Sequence, residues 1–384
     1  MEGDAGYLAA LRLIGEGADV DIHQVLATAC GPVPAWDPVV YLADLSRLVL
    51  IPLVPGAGKE DVAGTLAGRA FTTGQPVTSQ RDGAIRVWVP VIEQTTRTGV
   101  LAVTLPDDSA ELVGQAELLG VFAGLVVAAV ARVSDIKYEW QRGRAMSLPA
   151  SMQWDQLPPL STRTPVASIA GILEPAYDIA GDAFDYAVGH GELNFSIFDG
   201  MGHGIASTLL SGLAVGAYRH ARREGESLPA IHATIDHTLE EHYSDLSFAT
   251  GIIARLATST GRLEWTSAGH PPPLLLRGRK VVGELACDPA LPFGLGDDIP
   301  QVCEEDLEPG DSVLLYTDGV IEARTPDGEL FGLDRLADLL EREAASGQPP
   351  EELVRRLVGA VLEHQAGGLR DDATLLLARW TGQP

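Results

Sequence analysis

Two aspartates, Asp182 and Asp199, bracket a turn-rich stretch, residues 179–204, that reads IAGDAFDYAVGHGELNFSIFDGMGHG. The runs Phe184 to Val188 and Leu193 to Phe198 read as strands, with Gly189-His190-Gly191 as the turn between them. Asp182 lies eight residues before His190 and Asp199 nine after it. A hairpin folded about His190 therefore brings the two carboxylates together at one edge of a sheet. Carboxylates at close range repel and are costly to desolvate unless positive charge sits between them. No Lys or Arg lies inside the stretch, so a divalent cation is the natural partner. Gly200, Gly202 and Gly204 leave the backbone free to approach such an ion, and a carbonyl could join its ligands.

Two more acidic points sit where apolar runs meet solvent. Asp318 follows Val313–Tyr316, and Asp371-Asp372 precedes Ala373–Ala378. A strand end is a rigid place from which to hold a ligand. Taken alone, Asp318-Gly319 reads as a turn and Asp371-Asp372 as a solvated loop. Taken together with Asp182 and Asp199 they form an all-oxygen set without a matching His or Cys cluster, which selects Mg²⁺ or Mn²⁺ over Zn²⁺.

The elements that must position these acids alternate between strands and helices. From Val166 onward the texture is strand-rich: VASIAGILEPA, AFDYAV, LNFSIFD, FATGIIARL, RLEWTSAG, PPLLLRG, KVVGEL, DSVLLYTD and ATLLLARW. Helices are expected at 204–224, 228–242, 333–341 and 350–365. Two antiparallel sheets packed face to face, with helices outside, would bury both apolar faces. Before this region the order is two short helices, a strand pair, a helix over 61–73, a second strand pair and a long helix over 111–133. The segment 135–160 begins charged and helical and ends in Leu157-Pro158-Pro159, which reads as a linker. The expected division is 1–133, a linker at 134–160, and 161–384.

Acidic residues outnumber basic ones, 53 to 27, for a net charge of −26, which argues against nucleic acid or an anionic membrane as partner. A phosphorylated substrate would also be repelled unless metal ions invert the local potential. The apolar run Leu118–Val130 is shorter than the roughly 20 residues of a spanning helix and reads as a buried helix. Cys30, Cys287 and Cys303 sit far apart and form no CxxC, which reads as a reducing compartment and no cysteine-based zinc site. The expected location is the cytoplasm.

The blocks GDAFD, FDGMGHG, SAGHPPPLLL, YTDGVIEAR and DDATLLLAR resemble the signature motifs of the bacterial SpoIIE/RsbU-type branch of protein phosphatase 2C, from about Leu148 to Trp380. The resemblance implies an α+β fold, an α-β-β-α sandwich with a centre for two ions, Mn²⁺ or Mg²⁺, at one end. It implies that Asp199 bridges both ions, that Asp182 and the Gly200 carbonyl bind one, and that Asp318 and Asp371 bind the other. The implied reaction is hydrolysis of phosphoserine or phosphothreonine on a protein, by water activated between the ions. The implied substrate is a phosphorylated anti-sigma-factor antagonist. Asp372 and Asp185 are supporting candidates, Asp185 also for an extra ion. His203 and His270 read as structural. Ala183 departs from the family's aromatic pair after the first Gly-Asp. The eukaryotic branch's phosphate-holding Arg has no match, and Arg370 is the expected substitute.

Residues 1–133 resemble a GAF domain, carried by GTLAGRAFTTGQPV, RVWVPVI and TGVLAVTL. A small-molecule effector there would regulate the phosphatase, with a homodimer as the expected assembly. His23 reads as structural rather than as a haem ligand. The alternatives are a phosphatase-like scaffold that signals by contact, and a sensor whose output is only dimer geometry.

Overall fold

Strand pairing divides the chain into two bodies. The computed structural model describes every residue except Met1, 16–20, Pro32, Pro55, Asp82, Val133, Arg144, 179–180, His190, 244–246, 297–298, 367–370 and 383–384. The turn centre His190 and the expected phosphate ligand Arg370 thus lie outside the described residues. The two compact units are Met1–Ala145 and Met146–Pro384, and the division falls inside the stretch read as a linker.

The first unit begins with α1 (Glu2–Gly15) and α2 (Ile22–Cys30), followed by β1 (Trp36–Ala43), β2 (Val49–Pro52) and β3 (Glu60–Asp61). Then come α3 (Leu66–Thr73), β4 (Val77–Arg81), β5 (Ala84–Glu93), β6 (Thr96–Leu105), α4 (Ala110–Ala131) and α5 (Ile136–Gln141). The strands make one antiparallel sheet, in the order β3-β2-β1-β6-β5-β4. Strand alternation sorts its side chains. Val87, Val89, Val91, Leu101 and Val103 pack with Leu119, Ala123 and Val127 of α4. Val100 and Ala102 pack with Ala67, Ala70 and Phe71 of α3. Helix α3 starts later than the sequence pattern implies, because the Thr65 hydroxyl accepts from the Gly68 amide and caps it there. Helix α4 is long and apolar enough to cross a membrane by length and composition, yet half of it is buried inside the unit.

The second unit begins with α6 (Leu148–Gln156), β7 (Ser161–Arg163), β8 (Ala167–Glu174), β9 (Asp182–Val188) and β10 (Glu192–Gly200). Helices α7 (Ile205–Arg223) and α8 (Leu228–His242) follow. Then come β11 (Ala249–Ala257), β12 (Arg262–Ala268), β13 (Leu274–Arg277), β14 (Lys280–Glu284), β15 (Cys303–Asp306) and β16 (Ser312–Tyr316). The unit ends with α9 (Asp318–Ile321), α10 (Leu333–Ala345), α11 (Pro350–His364) and β17 (Ala373–Trp380).

These strands form two antiparallel sheets, β15-β12-β11-β10-β9 and β14-β13-β16-β17-β8-β7. Phe184, Phe195, Ile197, Ile252 and Trp265 of one sheet meet Ile169, Leu173, Val313, Leu315 and Leu376 of the other. Residues of opposite parity face outward. Phe198 and Ile253 pack under α7 and α8, and Leu314, Leu375 and Leu377 under α10 and α11. The expected α-β-β-α order is therefore the observed one.

Short strands β4, β7 and β15 carry no strong apolar alternation, and the sequence pattern gives no sign of them. The cysteine expectation is corrected. Cys287 and Cys303 form a disulfide across 5.8 Å between Cα atoms, leaving Cys30 as the free, buried thiol. Strands β14 and β15 are edges of different sheets, and the chain between them folds back and brings the two cysteines together. The cysteines thus lend no support to a reducing compartment.

Gly124 lets α4 touch β5. A Cβ there would lie 2.0 Å from the Ile92 carbonyl oxygen, inside contact distance to backbone that cannot turn away. Gly124→Ala should cost about 1–3 kcal/mol, the range for overpacking, and lower the melting transition of the first unit in calorimetry.

Candidate active site

At one end of the sandwich the strand register does what the hairpin argument requires. Asp182, the first residue of β9, is the cross-strand partner of Asp199 in β10. Directly opposed residues lie on the same face of an antiparallel pair. Two positions along, the partners Phe184 and Ile197 belong to the core between the sheets, so the aspartates sit on that inner face at its open rim.

The other sheet delivers the remaining acids to the same rim. Tyr316 at the end of β16 pairs with Leu375 of β17, so the residues after one strand lie beside those before the other. Thr317 joins the layers. Its hydroxyl donates to Asp182 Oδ2 at 2.6 Å and accepts from the Thr374 amide at 3.0 Å. Asp318 then opens the one-turn helix α9. Gly319 lies against the acidic pair, where a Cβ would stand 2.0 Å from the Asp372 carbonyl oxygen and 3.5 Å from Asp371 Cβ. The Asp372 amide donates to Asp371 Oδ1 at 3.0 Å. Asp372 Oδ2 accepts from the Asp182 amide at 3.4 Å.

Gly200 is clamped behind Asp199. Its amide donates to the Gly181 carbonyl at 3.1 Å. A Cβ on it would lie 2.9 Å from the Ser207 carbonyl oxygen at the start of α7. Helix α7 thereby sets the height of the Asp199-Gly200 backbone.

Crowding shows in the electrostatics. Burial, then the charges of Asp199 and Asp372, raise the Asp182 pKa well above the carboxylate range, against the lowering pull of Thr317. Burial pushes Asp199 up to about 7, reinforced by Asp318, Asp371 and Asp372. Asp318 is raised by burial, then by Asp371 and Glu322. Among the described residues, no Lys or Arg pairs with Asp182, Asp199, Asp318 or Asp371. Nor do three His, Cys, Asp or Glu side chains close into a ready-made ion cage. The acids feel one another's charge across the rim without collapsing together. This donor set of hard oxygens, repelling and without a base among the described residues, fits divalent cations, whose charge would remove the repulsion.

Asp185 has a different job from the one its proximity to Asp182 suggests. Its odd separation from Asp182 turns it to the outer face of β9, toward α7. There Arg219 Nη2 lies 2.7 Å and Arg222 Nη1 3.0 Å from its oxygens. Arg219 Nη2 also donates to the Gln156 carbonyl at 2.6 Å, tying α6 to this pair. Two guanidinium groups thus neutralise Asp185 and hold it to α7.

His203 is exposed. His270 is buried, with Nε2 at 3.1 Å from the Tyr316 carbonyl and Nδ1 at 2.9 Å from the Thr250 hydroxyl. A carbonyl only accepts, so Nε2 carries the proton and Nδ1 accepts from Thr250. Thr250 is the cross-strand partner of Asp199, and Tyr316 precedes Thr317. His270 thus pins both halves of the rim from beneath. Thr317, Gly319 and Ser207 escaped the sequence reading. The usable signal for Thr317 and Gly319 was their position on either side of Asp318.

A family model, Stage II sporulation protein E (SpoIIE), matches residues 189–381. Phosphoserine phosphatase RsbU of Bacillus subtilis is 26% identical over 224 residues, 57% of this chain and 66% of that protein. Phosphoserine phosphatase RsbP of the same organism is 26% identical over 187 residues, 46% of each chain. The crystal structure of the RsbU and RsbW domains of Rv1364c from Mycobacterium tuberculosis superposes with a TM-score of 0.50 at 28% identity, covering 57% of this chain and 62% of that one. The chain thus spans less than two thirds of the length of these relatives.

Two measurements follow. Asp185→Ala leaves two arginines facing a buried vacancy and should destabilise the second unit by about 3–5 kcal/mol, read from denaturant midpoints. Burial lowers the His270 pKa to about 3, against an ordinary value of 6.5. The unfolded chain therefore binds this proton first as pH falls. Stability supported by neutral His270 should be full above about pH 6.5 and drain away toward about pH 3. His270→Gln should flatten that part of the stability profile.

Proposed function

Because this chain belongs to the Stage II sporulation protein E (SpoIIE) family, we propose that it is a metal-dependent phosphatase acting on phosphoserine or phosphothreonine of a protein. The observation that carries this reading is the convergence of Asp182, Asp199, Asp318 and Asp371, from both sheets, on one rim without a basic partner among the described residues. Asp199, central to the set, would bridge two divalent cations, Mg²⁺ or Mn²⁺. Asp182 and the Gly200 carbonyl would hold one, and Asp318 and Asp371 the other. When bound, such ions supply Lewis acidity and neutralise charge on a transferring phosphoryl group.

The chain's own residues prepare that place. Thr317 holds the Asp182 carboxylate in place by its 2.6 Å hydrogen bond to Oδ2. Gly319 and Gly200 bring backbone close to the acids. The apolar core under the rim keeps water from below, which strengthens every charge interaction above it. At a net charge of −26 the bare protein repels a phosphoprotein, so cation loading also gates substrate approach.

The substrate class we propose is a phosphorylated anti-sigma-factor antagonist. Support comes from the likeness to two phosphoserine phosphatases and to a chain in which RsbU and RsbW domains are joined. We further propose that residues 1–133 act as a sensor that regulates the phosphatase.

Hydrolysis of p-nitrophenyl phosphate should require added Mn²⁺ or Mg²⁺ and vanish with EDTA. Asp199→Ala should abolish it. Thr317→Val, which removes the hydroxyl shared by Asp182 and the Thr374 amide, should lower metal affinity or rate by about 10–100-fold. Turnover that survives both EDTA and Asp199→Ala would overturn the two-metal reading.

A further inference from the structure

The disulfide between Cys287 and Cys303 lies outside the acidic rim but ties down part of its support. Cys287 follows β14 at the edge of one sheet, and Cys303 opens β15 at the edge of the other. Cys303 pairs across the ladder with Trp265, and both cysteines pack against the core between the sheets. A unit with a core of this size does not need a disulfide in order to fold. What the bridge does is close a loop whose ends are 16 residues apart in sequence. Between the cysteines the described residues form no helix or strand, only single bridges at Ala290 and Phe293. The order of this loop therefore rests on a few contacts and on its tied ends.

Those few contacts fall on the strand ends beneath the acids. The Phe293 amide donates to the Ala249 carbonyl at 2.9 Å, and its carbonyl accepts from the Ala249 amide at 3.1 Å. Ala249 is the cross-strand partner of Gly200, and Thr250 that of Asp199. The buried Phe293 ring lies 6.0 Å from the ring of Phe198, the residue before Asp199. The Ala290 amide donates to the Ser267 carbonyl at 2.9 Å. Pro292 closes over Gly269, where a Cβ would stand 3.0 Å from the proline Cγ, and His270 is the next residue. The Gly294 amide donates to Asp236 Oδ1 of α8 at 2.7 Å. The loop thus braces both neighbours of the floor that His270 and Thr250 form.

We propose that the Cys287–Cys303 bridge is a redox-operated latch. Closed, it holds Ala290 and Phe293 against the strand ends beneath Asp199 and Gly200. Reduced by a dithiol, it frees the loop and loosens that floor. A cleft of about 570 Å³, lined by Trp265, Gln301, Val302 and Cys303 among others, gives a small thiol a way to the bridge. Exchange begins when a thiolate of the dithiol attacks one sulfur of the bridge. The bond between the two cysteines breaks, and the leaving thiolate takes a proton. The second thiol of the reagent then displaces the mixed disulfide. One protein disulfide and one dithiol become two protein thiols and one oxidised dithiol, with two electrons and two protons transferred. The latch stands apart from the phosphatase reading, whereas its effect on ion binding rests on that reading.

The full chain, prepared with oxidised dithiothreitol and then denatured in iodoacetamide, should gain one carbamidomethyl group, on Cys30, and the reduced chain three. In native-state hydrogen exchange, reduction should speed the amides of Ala249, Ala290 and Phe293 by up to about 100-fold, the constraint a closed loop of this length imposes. Amides of β16 and β17 should keep their rates. The Mn²⁺ dissociation constant, read by calorimetry, should rise about tenfold. Reoxidation should restore both readings. Cys287→Ser with Cys303→Ser should match the reduced chain and ignore dithiothreitol; if that variant does not fold, the reduction and reoxidation cycle on the parent chain decides alone. Three alkylated cysteines after the oxidising preparation would overturn the proposal. So would exchange at Ala249 and Phe293 that ignores reduction or that quickens equally across the second unit. Mn²⁺ affinity that stays fixed while local exchange quickens would overturn the latch's hold on the rim. Faster local exchange with no Mn²⁺ bound in either state would uphold the latch and count against the two-ion reading.

Discussion

Like charges held together at the mouth of an apolar sandwich are the constraint on which the rest of the second unit depends. Asp182 and Asp199 are locked opposite each other by β-register, and neither can retreat without breaking the β9–β10 ladder. The opposing sheet adds Asp318, Asp371 and Asp372, whose charges raise the Asp199 pKa. A fold chosen for stability alone would place a base among them or turn them outward. Asp185 illustrates the ordinary solution three residues away, where two arginines neutralise a buried carboxylate. At the rim no described Lys or Arg does this for Asp182, Asp199, Asp318 or Asp371, and the cost of holding these acids together falls on the surrounding structure.

That surrounding structure is a set of short, directional contacts around a large apolar core. Thr317 bridges the sheets through one hydroxyl, which donates to Asp182 and accepts from Thr374. His270 links the strand beside Asp199 to the strand that ends before Asp318. Helix α7 presses on Gly200, and α6 is tied to α7 through Arg219. A displacement of α6 or α7 therefore has a mechanical path to the backbone at Asp199. The first unit uses a similar economy, with glycines in α4 that let the helix lie on the sheet.

Much of the site was legible because it is local or strictly periodic. The Asp182–Asp199 pairing follows from hairpin arithmetic, and the strands that carry Asp318 and Asp371 are strong apolar runs. The layer order followed from alternation in the same way. Other features were illegible for equally physical reasons. The strands β4, β7 and β15 are short sheet edges with few apolar residues, so no apolar alternation marks them. The cysteine pairing depends on two edge strands of different sheets returning to one place. Nothing within sixteen residues of spacing announces that return.

What the sequence by itself determined is the inventory: which residues are acids at strand ends, which faces are apolar, and that hard-oxygen ligation suits them. These are properties of nearest neighbours and of periods two and 3.6, which a linear chain carries in full. Only the tertiary structure decided the partners. It gave Asp185 to two arginines, Thr317 to Asp182, and His270 to the floor beneath the rim. Such choices rest on side chains tens to more than a hundred residues apart meeting within about 3 Å, the reach of a hydrogen bond. No local pattern encodes that distance.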